Sequence, residues 1–148
     1  MSVKTDQSYF LTYKLVCTIE QEDKKMSTTT NMLQSHVDSI AEELRRVYDG
    51  EVIADEGDAL SYGIDEGEPL SFWDYFNDAL DIEYTIGSDM SFRGVRVMVT
   101  CGGPNIYVDT VRGEVFGAWW GDTASAWIPS EICDEINTVF EELYECSR

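Results

Sequence analysis

Apolar residues recur along this chain with two different periods. Leu33, Val37, Ile40, Leu44 and Val47 step by three and four, which predicts an amphipathic helix from about Thr30 to Tyr48. Asp49-Gly50 ends it. A second helix is predicted over 72–81. Ser71 can cap it, Pro69 lies just upstream, and Phe72, Phe76 and Leu80 form its inner face. From residue 82 the period becomes two. The stretches 82–87, 93–101, 105–110 and 114–120 read as strands, with Gly-rich turns between the last three. Their short connections favour an antiparallel meander. Pro129-Ser130 then opens a last helix, with Ile132, Ile136, Val139, Phe140 and Leu143 facing inward. The order helix, helix, four strands, helix predicts an α+β fold. In it an antiparallel sheet of about four strands packs against two or three helices.

The ends and joints are less regular. Tyr9, Leu11, Tyr13, Leu15 and Cys17 alternate with more polar neighbours, and the charged run 20–25 follows. Residues 1–25 are therefore read as an N-terminal extension or edge strand, and 26–148 as a single α+β domain. The acidic, Gly-containing stretch 51–69 holds room for one short strand at most. In 118–127, Trp119 and Trp120 on one strand would point to opposite faces, one into the core and one outward.

Charge changes the picture. The 148 residues carry 29 acids against 10 bases, a formal net charge of −19. A small soluble domain usually carries roughly 2–8 units. Yet 43% of residues are hydrophobic, enough for a core and too many for a disordered acidic tail. Direct nucleic-acid binding is not expected, because phosphate contacts need Lys and Arg. The apolar run 9–19 is short and contains Lys14, so no membrane span or leader is expected. Four cysteines form no Cys-x-x-Cys pair, and a cytoplasmic protein with reduced thiols is the default reading.

Recognised catalytic and metal patterns are missing. No phosphate-cradling Gly-x-x-x-x-Gly-Lys sequence occurs. Residues 55–66 have the length of a calcium loop, but Gly57, Ala59 and Leu60 occupy the places where it needs oxygen ligands and a glycine. No metal or other cofactor is expected. Cys101 before Gly102-Gly103 invites a nucleophile reading, but His36 is the one histidine and lies far along the chain. Asp109, Glu114 and Asp122 could form the carboxylate pair of a hydrolase. With 29 acids such pairs also arise by chance.

The acids themselves are the signal. From Val47 to Phe92, 46 residues, there are 13 Asp or Glu and no Lys or Arg. Ordinary surfaces intersperse both signs. A solvated acidic face that keeps the chain soluble, or a salt-adapted source, would account for part of this. On the predicted second helix, residues four apart rise about 6 Å. Asp74, Asp78 and Asp81 would then repeat on the scale of successive phosphates. Glu131, Asp134, Glu135, Glu141, Glu142 and Glu145 on the last helix would extend that surface.

A small compact domain with a large unanswered acidic block, centred on 54–83, resembles in character the acidic DNA-mimic inhibitors of mobile elements, the anti-restriction and anti-CRISPR proteins of phages, plasmids and integrative elements. The resemblance implies a non-catalytic inhibitor that occupies the nucleic-acid-binding groove of a host defence nuclease. It implies no cofactor. The residues carrying it would be Asp55, Glu56, Asp58, Asp65, Glu66, Glu68, Asp74, Asp78, Asp81 and Glu83. Two other classes stand beside it. One is a small enzyme or ligand-binding domain centred on Cys101 and Trp119/Trp120; the other is an adaptor that docks a basic peptide on its acidic face.

Overall fold

The computed structural model describes the backbone of residues 7–148 and the side chains of residues 28–148. The elements in order are α1 (Gln7–Tyr48), α2 (Glu56–Tyr62), α3 (Phe72–Tyr75), β1 (Asp81–Ile86), β2 (Phe92–Thr100), β3 (Asn105–Asp109), β4 (Glu114–Trp119), β5 (Asp122–Trp127) and α4 (Ser130–Ser147). The class is α+β, as the change of period predicts, but the sheet has five antiparallel strands in the order β1-β2-β3-β4-β5.

Three expectations are corrected. The backbone over the proposed edge strand and charged linker is helical, because α1 begins at Gln7. No Gly or Pro interrupts the chain before Gly50, so nothing stops a helix from propagating through that segment. The side chains of Tyr9 to Cys17 and a boundary at residue 25 lie outside the described residues. The second correction concerns the predicted helix 72–81. It stops after one turn, at Tyr75. Asn77 and Ala79 donate to the carbonyls of Asp74 and Phe76, three-residue closures that turn the chain into β1. Phe72 and Phe76 are buried as expected, but Leu80 is 54% exposed.

The third correction is the extra strand. Trp119 ends β4 and pairs with Asp122 of β5, leaving Trp120-Gly121 as a two-residue loop. Trp120 (φ 52°) and Gly121 (φ 85°) are both left-handed, the arrangement of a type I′ hairpin turn. Trp120 is therefore not on a strand; it sits on the turn and is 86% exposed. Two aromatic residues in succession favour strand and hid a turn that Asn-Gly would have announced.

The core lies between the helices and one face of the sheet. α1 crosses β4 and β5, while α4 lies over β2 and against α3. Leu33, Val37 and Leu44 of α1 and Ile136 and Phe140 of α4 meet Val95, Val97, Ile106, Val108 and Val115, all buried. Gly117 permits close approach: a Cβ there would come within 2.8 Å of Val37 and 2.9 Å of Leu33. α1 also guards the free edge of β5. Gln34 Nε2 donates to the Ser125 carbonyl (3.0 Å) and Arg45 Nη2 to that of Trp127 (3.1 Å). The buried hydroxyl of Thr110 accepts the Val95 N–H (2.9 Å) and donates to Asn137 Oδ1 (2.6 Å), fixing α4 to the sheet.

Candidate partner-binding surface

The acidic stretch is held by its own backbone. Ile53 bridges Pro69, the Ala54 N–H donates to the Glu68 carbonyl (2.8 Å), and the Leu70 N–H donates to that of Val52 (2.8 Å). Between these clips Glu56–Tyr62, inside the stretch of calcium-loop length, form α2. Asp55 caps it: the Asp58 N–H donates to Asp55 Oδ1 (2.9 Å) and the Asp55 N–H to Asp58 Oδ2 (3.1 Å). This reciprocal box satisfies two amides that a helix start otherwise leaves open. Glu56 sits in the first turn, where the helix dipole favours a negative charge. Asp65, Glu66 and Glu68 are exposed in the turn that follows.

A second capping box starts α3. The Asp74 N–H donates to Ser71 Oγ (3.3 Å), and Asp74 Oδ2 accepts from the Ser71 N–H (3.0 Å) and hydroxyl (2.7 Å). Two tyrosines then tie the acidic segment to its surroundings. Tyr62 on α2 donates to Asp78 Oδ2 (2.9 Å), and Tyr75 donates to Glu43 Oε2 of α1 (3.0 Å). The hydrogen bond to Asp78 raises the Tyr62 pKa, and the charges of Asp78, Asp58 and Asp74 raise it further. Burial pushes the Tyr75 phenol up, with the Glu43 carboxylate adding to it.

The ten acids singled out in the sequence are thus not one helical row. Asp78 hydrogen-bonds Tyr62, and Asp58 and Asp74, from two short helices, lie near enough for their charges to act on the same phenol. Asp55, Glu56, Asp65, Glu66 and Glu68 project from the clipped loop. Asp81 and Glu83 are on β1, an edge strand, where both are exposed. The expected phosphate-like spacing along a single helix is absent, because that helix has one turn and Asp81 lies beyond it.

Among the described residues, positive charge answers only one of them. Each of Arg45, Arg46, Arg93, Arg96, Arg112 and Arg148 already has a carboxylate within 4.0 Å. Of the ten acids only Glu83 is among those partners, facing Arg96 at 3.5 Å, and the other nine have no ion pair among the described residues. Arg96 also lies 3.9 Å from the centre of the Tyr107 ring. Along α4, Glu131, Asp134, Glu135, Glu141, Glu142 and Glu145 are all exposed.

The alternative centres disperse. Cys101 is exposed in the turn after β2, and Trp119-Trp120 lies at the β4–β5 turn, two strands away. That separation is roughly 10 Å. His36 is exposed on α1. Asp109 and Glu114 do face each other across β3 and β4. Asp109 Oδ1 accepts the N–H groups of Val111 and Arg112 (both 3.0 Å), and Glu114 pairs with Arg112 at 3.4 Å. Both carboxylates thus hold a turn, while Asp122 belongs to the opposite end of the sheet. Among the described residues no group of three or more His, Cys, Asp or Glu is arranged to hold a metal ion. No described helix is long and apolar enough to cross a membrane.

One feature of the surface was not anticipated. Trp73 is 52% exposed, beside the cap residue Asp74. It lines a crevice of about 180 Å³ between the α3 turn and α4. Its signal is that it falls off the Phe72/Phe76 face of the helical period. No family model, no curated protein and no solved structure matches this chain.

Proposed function

We propose that this protein is a non-catalytic inhibitor whose acidic surface occupies the nucleic-acid-binding groove of a host defence nuclease, its carboxylates standing in for phosphates. One observation carries the proposal. Nine of ten carboxylates on residues 55–83 have no ion pair among the described residues, while Arg96 pairs with the tenth, Glu83, and the other five arginines pair outside the set. Carboxylates without an ion pair, five of them steadied by hydrogen bonds from backbone N–H groups, Ser71 or Tyr62, present charge at little cost in side-chain ordering. A cationic groove would be steered towards them, and its arginines would form strong bidentate pairs on contact. The mimicry would come from the tertiary placement of Asp58, Asp74 and Asp78 together with the loop, not from one helical ruler.

The test is capture from a bacterial lysate at low and high salt, then competition of the captured protein with duplex DNA. A nuclease or other nucleic-acid-binding protein should elute as salt rises, and DNA and this protein should exclude one another. The triple variant Asp58→Asn, Asp74→Asn, Asp78→Asn keeps capping side chains and should lose most of the binding. A partner that binds this protein and DNA together would replace the inhibitor with an adaptor.

A further inference from the structure

Inhibition by charge alone leaves the crevice beside Trp73 unexplained. Its walls come from two segments. Trp73, Phe76, Ala79 and Ile82 belong to the stretch after Val47, and Val139 and Leu143 belong to α4. Neither the stretch from Val47 to Phe92 nor α4 contains a single Lys or Arg. The lining is mostly apolar, with the Asn77 amide among it, and acidic residues stand near it. Asp74 follows Trp73 at the lip, whereas Asp78 lines the neighbouring hollow with Tyr75 and Val99, and Asp81 points to the other face of β1 from Ile82. On α4, Glu135 and Glu142 lie four before and three after Val139, which puts them on the same face. An apolar centre inside a polar rim, with a half-exposed tryptophan at its lip, is the anatomy of a protein-interface anchor site.

We propose that this crevice receives one apolar side chain, aromatic or long aliphatic, carried between Lys and Arg residues on the partner. Its volume of about 180 Å³ suits one such group, since an apolar cavity of about 150 Å³ admits benzene. The charge of the rim selects what flanks that side chain: an acidic or neutral segment gains nothing from Asp74, Glu135 and Glu142, and a basic one does. A second copy of this chain is disfavoured by the same argument, because each copy carries a net charge of −19. The inference rests on the proposed cationic partner and adds to it a shape-specific anchor.

Three short synthetic peptides separate the two ideas: a Lys/Arg peptide with a central Phe, the same peptide with a central Ala, and a Gly/Ser peptide with the central Phe. Binding is measured by titration calorimetry at low salt, and location by backbone amide NMR shifts. The basic Phe peptide should bind about tenfold more tightly than the basic Ala peptide. Its shifts should centre on residues 73–82 and 139–143. Ala79→Leu, which fills the crevice, should bring that ratio close to one and leave the Ala peptide unaffected. Trp73→Ala, at an exposed lip, should lower the ratio in the same direction without disturbing the core. Neutralising Asp74 to Asn together with Glu135 and Glu142 to Gln should weaken both basic peptides and preserve the ratio. Equal binding of the two basic peptides, or a ratio that survives both crevice variants, would overturn the anchor and leave the acidic reading standing. Binding of the Gly/Ser peptide alone, or of none, would overturn both.

Discussion

The corner where α1 crosses β4 and β5 and the segment from Asp49 to Glu83 are built by opposite means. In the first, Leu33 and Val37 press against Gly117 so closely that a single added carbon would collide. Order there comes from excluded water and close packing. In the second, α2 buries none of its residues. Apart from the buried Phe72 and Phe76, the segment's order comes from two capping boxes, a backbone clip and two tyrosine–carboxylate hydrogen bonds. The first region can tolerate little change in shape. The second is held at its joints, and acids such as Glu56, Asp65, Glu66 and Glu68 remain available to a partner.

Substitutions can break that contrast. Leu33→Ala should have the largest effect, about 2–5 kcal/mol of stability, and Gly117→Val about 1–3 kcal/mol from overpacking, both read from urea unfolding. Losses as large from Asp65→Asn would mean that the acidic loop is also packed from within. Ser71→Ala should cost about 1 kcal/mol, because it opens one capping box. Its partner-binding effect should exceed its stability effect if the α3 turn presents Trp73 and Asp78.

Tyr75 sharpens the contrast through pH. Burial and Glu43 raise its phenol pKa in the folded state, so the folded form holds the proton more tightly than the unfolded chain. That contribution is complete below about pH 10 and is lost as pH rises through the folded value. Wild type should lose stability in this alkaline range, and Tyr75→Phe should remove part of the slope in a urea series from pH 8 to 11. At neutral pH the variant should give up about 0.5–1.5 kcal/mol for the hydrogen bond to Glu43.

The smallest effect on stability is expected from Asp65→Asn, Glu66→Gln and Glu68→Gln together. These exposed changes should alter it by no more than about 0.5 kcal/mol, towards greater stability at low salt as self-repulsion falls. Their effect on binding a cationic partner should be far larger. A calorimetric melt beside a binding titration on the same sample measures both.

Much of the fold was legible where period and burial agree. The α1 stripe from Leu33 to Val47 is buried as predicted except for the partly covered Ile40, and Ile132, Ile136 and Phe140 lie inside on α4. Legibility failed where short-range signals compete. Phe72, Phe76 and Leu80 fit a helical period, but hydrogen bonding closed the turn after Tyr75 and left Leu80 outside. Trp119 and Trp120 read as strand, but the backbone at Trp120 is left-handed, and β5 follows. In the candidate site, the identity of the acids was legible and their arrangement was not.

The chain by itself determined that helices would pack on an antiparallel sheet, and that a long segment would carry negative charge with no basic residue inside it. Periodicity and composition are local properties, and they can be read without knowing what lies nearby. Only the tertiary structure decided that Asp58, Asp74 and Asp78 would act on the one phenol of Tyr62, that every arginine but Arg96 would be engaged by other carboxylates, and that Trp73 would stand at the edge of a mostly apolar crevice. Those depend on contacts between residues far apart in sequence, where hydrogen-bond closure and packing outweigh intrinsic preference.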